Sequence, residues 1–241
     1  MTGWLDPTIL ALGLAVLCGS FVQSTIGFGV AVVSAPFVVV LRPELMPVAL
    51  LVCTFVLPVV QLASGPRDIA WRPLGWAVAA RVVATPLGVL VVASTSPDAI
   101  ALAVGVLILV TVLASVVAIE IRLTRGSAMA AGAISGVSGT AASIGGPFLA
   151  LVLRHEPPDR LRSTLAVFFI AGSVMGVGGL ALAGQVTWEQ LRTGLLWIPF
   201  VVTGHLLAGP LRRRMPARAV RRGVLTFCVV ASVSVIARAL L

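Results

Sequence analysis

The chain has 241 residues, of which 59% are hydrophobic and 10% charged, and its mean hydropathy is +1.12. One core of a soluble domain this size cannot absorb so much apolar surface, so a soluble globular protein is excluded and a polytopic membrane protein is expected. The net charge of +9 is carried by arginine alone, in short loops between apolar runs, which is a topology signal and excludes nucleic acid as the expected partner.

The N-terminus, residues 1–7, holds Asp6 and no basic residue, so it lacks the positive region of a cleaved signal peptide and the first apolar run is expected to be retained. That run, 8–41, is interrupted by Gln23, Ser24 and Thr25 and by Gly27 and Gly29. Three unbroken runs follow at 45–63, 74–93 and 98–118, each about 20 residues and long enough to cross a ~30 Å hydrocarbon layer as a helix. A second interrupted run, 126–153, breaks around "SGTAASIGGP" and leads to further runs at 162–183, 192–209 and 222–240. The order broken, full, full, full therefore occurs twice, which reads as an internal repeat.

Residue matches agree with the duplication. "APFVVVLRPE" and "GPFLALVLRHE" close the two broken runs, pairing Pro36 and Phe37 with Pro147 and Phe148, and Glu44 with Glu156 after one inserted residue. The expected fold is all-α: two four-element repeats, 1–120 and 121–241, forming one integral membrane domain, inverted relative to each other and each opening with a Gly-rich broken or re-entrant helix. If each broken run returns to the side it entered from, one side collects thirteen loop arginines and the other only Arg42 and Arg192. A single crossing by each broken run divides them ten to five. The first split requires inverted halves and puts both termini outside. The second legs, 30–41 and 144–153, span only about 18 and 15 Å as helices, too short to cross.

Backbone that leaves helical geometry in hydrocarbon strands N–H and C=O groups, and is tolerated only where it lines a cavity or is buried in protein. A half-helix that starts after such a break turns free N–H groups and a positive dipole end toward whatever binds there, which suits an anion. The candidate substrate-binding residues are Gln23, Ser24, Thr25, Gly27 and Gly29 from one half, and Ser135, Ser138, Gly139, Thr140, Ser143, Gly145 and Gly146 from the other. The competing explanation is that Gly29, Gly132, Gly136, Gly145 and Gly146 only allow close helix packing.

The segments "FVQSTIGFG" followed by "APF", and "GAISGVSGTAASIGGPFLAL", resemble the two signature segments of the sulfite exporter TauE/SafE family, also called the sulfonate-uptake permease family, in its GFG-type branch. The resemblance covers nearly the whole chain, including the four-plus-four plan. Phe148 departs from it, standing where a second proline is frequent after "GGP". The resemblance implies a multi-pass protein of a bacterial cytoplasmic (inner) membrane that carries sulfite, a sulfonate or a related organosulfur anion.

Two further residues invite chemistry. Arg81, a further substrate-binding candidate, lies about eight residues into its run from the arginine-rich side, where its charge either faces a cavity and attracts the anion or snorkels to the interface. His205 could gate or carry a proton, or be a wet helix-end histidine. All eight carboxylates fall in loops or at helix ends, so no acidic proton relay or sodium site is expected at mid-membrane. Cys18, Cys53 and Cys228 lie inside apolar runs, and neither disulfide, metal nor cofactor is expected. The expected partners are a small anionic substrate and the lipid bilayer, with a homo-oligomer left open. A membrane enzyme lacks the acid–base or metal set it would need. The expected function is a secondary transporter, an exporter, of a small sulfur-containing anion, built around a midplane site between the repeats. The alternatives are a non-transporting subunit of a membrane complex and an open channel.

Overall fold

The computed structural model describes residues 6–116, 121–212, 223, 226 and 229–232. Every regular element among them is helical. α1 (Pro7–Ile26) and α2 (Val30–Leu41) flank the first break, and a 3₁₀ turn (Pro43–Leu45) leads to α3 (Val48–Ser64), α4 (Trp71–Ser94) and α5 (Pro97–Val116). α6 (Arg125–Ala142) and α7 (Gly146–Val152) flank the second break, followed by α8 (Pro158–Leu182), α9 (Trp188–Leu196) and α10 (Ile198–Arg212). Four stretches are long and apolar enough to cross a membrane: Pro7–Ile26, Trp71–Ser94, Pro158–Leu182 and Trp188–Gly209. Val82, Val83, Leu87 and Leu90 stand exposed on α4, a surface suited to lipid chains. The run expected at 222–240, Cys228, and the arginines beyond Arg212 fall mostly or wholly outside the described residues.

The run expected at 192–209 begins earlier and is divided at Trp197. Pro199 has no N–H to give to the preceding turn, so the ladder lapses there. The Trp197 N–H still donates to the Thr193 carbonyl at 3.1 Å, and its carbonyl accepts from Val201 at 3.1 Å, so α9 and α10 follow one another closely.

Two polar ends are defined by ion pairs and hydrogen bonds. At one, Arg42 binds Asp6 at 2.9 Å and Glu189 at 2.7 Å, and also pairs with Glu44. The start of α1 and the end of α2 thus meet, and the chain turns back on itself through the first break. The Thr8 N–H, and after it the Arg42 guanidinium, hold the Asp6 carboxyl below its ordinary range. At the other end Arg160 binds Asp68 at 3.0 Å, the Ser163 hydroxyl donates to the Pro66 carbonyl at 2.6 Å, and Arg125 stacks over Trp76 at 4.1 Å. Arg67 in the loop before α4, Arg72 in the first turn of α4 and Arg162 near the start of α8 belong to the same end.

The helix before each break lies parallel against a helix from the other half. α6 runs along α4 through contacts of Gly132 with Ala77, Gly136 with Ala84, and Thr140 with Gly88. A Cβ on Gly132 would stand 2.0 Å from the Ala77 carbonyl oxygen, so this glycine is required by close approach. α1 runs along α10 in the same sense: Trp197 Nε1 donates to the Ile9 carbonyl at 3.0 Å, Phe200 meets Gly13, Ser20 donates to the Val201 carbonyl at 2.6 Å, and Ser24 meets His205. The packing explanation therefore holds for Gly132 and Gly136, which do not line the break.

Candidate functional site

At the first break α1 ends on Gly27 with φ 97°, and Gly29 adopts φ 145° before α2 begins. Both are left-handed conformations that side-chain-bearing residues adopt only at a cost. The second break lies within the "SGTAASIGGP" stretch but turns on a serine. Its left-handed residue is Ser143, with φ 60°, and the Ser143 hydroxyl anchors that strained turn by donating to the Pro47 carbonyl at 3.0 Å. Gly145 has an ordinary φ of −110°, and Gly146 already opens α7.

The polar residues between the apolar runs mostly repair the broken ladder. Gln23 Oε1 accepts from the Val30 N–H at 3.1 Å, reaching across the break to cap α2. Ser135 Oγ donates to the Gly145 carbonyl, and Ser138 Oγ is 2.8 Å from the Ile144 carbonyl. Thr25 Oγ1 donates to the Phe21 carbonyl of its own helix at 2.9 Å. A serine or threonine hydroxyl has one proton, so one given to a carbonyl cannot also serve an anion. In this conformation the hydroxyls of Thr25, Ser135, Ser138 and Ser143 are all turned to backbone carbonyls. The sequence showed which donors were present but not which carbonyls they would face.

This role carries a prediction. Gln23→Ala leaves the buried Val30 N–H without an acceptor, so unfolding in detergent should fall by about 1–3 kcal/mol, whereas Gln23→Glu, which keeps the oxygen, should recover much of it. Equal losses in the two variants would sink the capping role.

The two breaks nevertheless meet. Gln23, Gly29, Ala31 and Val32 from one half and Ser143, Gly145 and Gly146 from the other line a single cavity of about 30 Å³, together with Phe28, Thr54 and Phe169. It has room for about two water molecules. The first turn of a helix leaves its N–H groups without intrahelical partners. Of those in α2, Gln23 takes that of Val30, and Ala31 and Val32 border the cavity.

Arg81 lies behind this cavity. It is ten residues into α4, about 15 Å from the helix start, and is 3% exposed. Its guanidinium stacks on Phe168 at 4.7 Å and occupies a cradle of three glycines. A Cβ on Gly172 would meet Cζ at 2.1 Å, one on Gly139 would meet Nη2 at 2.7 Å, and one on Gly145 would meet Nη1 at 3.4 Å. The head does not snorkel to the surface. Nε and Nη1 are buried without a hydrogen-bond partner, as is Thr140 Oγ1. A buried donor left unmade is costly, so this fork is poised for an acceptor.

Ser24 and His205 pair, Oγ to Nδ1, at 2.9 Å, away from the small cavity. They line a second cavity of about 260 Å³ with Gln61, Ser64 and Arg162. Among the described residues no group of His, Cys, Asp or Glu could hold a metal ion.

Comparisons with curated proteins and with solved structures give no significant match. The model of the family described as sulfite exporter TauE/SafE matches residues 11–235, and the chain, helical with several apolar spans among its described residues, belongs to that family of membrane transporters.

Proposed function

We propose that the protein is an exporter of a small sulfur-containing oxyanion or sulfonate, and that the substrate passes through the cavity where the two breaks meet. The observation that carries this is the joint lining of one cavity by Gly29, Gly145 and Gly146, from halves of the chain more than a hundred residues apart. The first-turn N–H groups of α2 supply donors and a positive dipole end, and Arg81 behind Gly145 supplies the nearby positive charge. Reciprocal packing of α1 on α10 and of α6 on α4 supports two inverted repeats, 1–120 and 121–241, with each broken helix re-entrant and the cavity near the membrane midplane.

Export follows from energetics. An interior-negative potential of 100 mV drives out each negative charge with about 2.3 kcal/mol, roughly 50-fold in concentration, without a coupling ion. Import would need a coupled cation, and the carboxylates placed by ion pairs, Asp6, Glu44, Glu189, Asp68, Glu156 and Asp159, lie at the polar ends.

Purified protein in liposomes should give saturable flux of one or more of sulfite, thiosulfate, sulfate, taurine, sulfoacetate and simple carboxylates, accelerated by a potential that is negative on the side of Arg67. No flux of any anion would favour the non-transporting subunit. Non-saturating flux would favour a channel. Orientation is tested separately: cysteines replacing Arg67 and Arg42 should label with an impermeant reagent from opposite sides. Labelling from one side would refute the inverted plan.

A further inference from the structure

We infer that the 260 Å³ cavity at the arginine-bearing end is an antechamber for the same small oxyanion, and that Phe169 is the gate between it and the cavity at the breaks. The inference rests on the breaks forming the substrate path.

Three helices each line both cavities. α1 gives Gln23 to the inner one and the adjacent Ser24 to the outer one. α3 gives Thr54 to the inner and Gln61 to the outer, two turns apart on one face and about 10 Å along the helix. α8 gives Phe169 to the inner and Ala166 to the outer, one turn or about 4.5 Å apart. The cavities are therefore separated by about one layer of side chains.

Phe169 lines the inner cavity, one turn of α8 from Ala166 of the outer one, and its ring covers the start of α7. A Cβ on Gly146 would stand 2.3 Å from the ring's Cζ and 3.4 Å from the Phe28 Cβ, so the ring lies directly on bare backbone at the second break. The ring is partly exposed, unlike its fully buried neighbour Phe168. An aromatic side chain turns about two bonds, so a rotamer change suffices to clear the passage while the helices stay in place.

The outer cavity has the chemistry of a collecting site. Arg162 and its ion-pair partner Asp159, 2.6 Å apart, both line it, so an anion that enters competes with the Asp159 carboxylate for the guanidinium, and the paired Ser24 and His205 supply further polar atoms. A hydrated anion meets cationic and hydroxylic groups there before it must shed water to enter the smaller space. The passage thus orders the path as antechamber, Phe169, then the breaks.

The test uses a cysteine-free background with Thr54→Cys as an inner reporter and Ser64→Cys as an outer one. An anionic methanethiosulfonate reagent is applied to each face of oriented vesicles in turn. Ser64→Cys should react quickly from the Arg67 side whatever residue stands at 169. Thr54→Cys should react slowly from that side, about tenfold or more faster when combined with Phe169→Ala, and more slowly still with Phe169→Trp. Should Phe169→Ala fail to insert, Phe169→Leu should give an intermediate acceleration. A Thr54→Cys rate indifferent to the residue at 169, or modification only from the opposite face, would overturn the gate. Labelling needs no transport, so a rate that follows residue 169 in a protein carrying no anion would uphold the gate and reject the substrate path.

Discussion

Arg81→Met is expected to raise the protein's thermal stability while cutting anion flux by about 100-fold. The two effects come from the same observation. The guanidinium sits about 15 Å into α4, 3% exposed, with Nε and Nη1 unpartnered and, among the described residues, no carboxylate paired with it, so the folded protein bears the cost of a buried charge. Placing an arginine at the centre of a membrane helix costs about 2.5–3.5 kcal/mol, and the stack on Phe168 returns only about 0.5–2 kcal/mol of that. An apolar side chain of similar length removes the deficit. If the anion in transit is what neutralises Arg81, the same substitution removes its strongest attraction at mid-path. Arg81→Lys keeps the charge but loses the planar fork and should retain part of the flux. A structural arginine predicts the reverse, with stability falling in Arg81→Met and flux falling only in proportion to the folded protein. Unfolding in detergent and flux in liposomes, measured on the same preparations, separate the two.

Much of this arrangement was legible in the sequence because hydrocarbon is intolerant of irregular backbone. Glycines and polar side chains inside apolar runs had to mark breaks, and both occur within a few residues of where they were expected. The helices between them were equally legible from length alone, as with the 74–93 run, which becomes Trp71–Ser94. What the hydroxyls do was not legible. Ser135 and Ser138 look like ligands in a list of donors, yet each faces a carbonyl freed by the very break it flanks. Their role depends on where residues 144 and 145 fold back, and composition does not reveal that. The second break falls inside the "SGTAASIGGP" stretch, but which of its residues turns left-handed was not legible: Ser143 does so, its hydroxyl held by the carbonyl of Pro47 at the cap of α3. Contacts between halves were beyond periodicity altogether. Nothing near Arg81 in sequence indicates that Gly172, on another helix, leaves room for its guanidinium, or that Ser24 meets His205 across 181 positions.

Bulk at either break is expected to abolish transport, and the two breaks should differ in how much stability is lost with it. Gly29 holds φ 145°, and a Cβ there would stand 2.7 Å from Val22 Cγ1, so even Gly29→Ala combines dihedral strain of about 1–2 kcal/mol with a clash that only a rotation of Val22 relieves. Gly145 has an ordinary φ, and its Cβ would meet the Ser135 carbonyl at 3.2 Å, Gly139 Cα at 3.3 Å and Arg81 Nη1 at 3.4 Å, tight but free of backbone strain. Gly29→Ala should therefore destabilise more than Gly145→Ala. The leucine variants should converge in function: Gly29→Leu crowds a cavity of about 30 Å³ directly, and Gly145→Leu forces α7 off the α6 seam and drives the Arg81 guanidinium from its cradle. Both should insert in the membrane and carry less than about 1% of the wild-type flux. Because the two glycines belong to different halves and meet only at this cavity, the demand for equal loss is strict. If Gly29→Leu is inactive while Gly145→Leu transports normally, the substrate does not pass between the breaks, and the second one is helix packing alone.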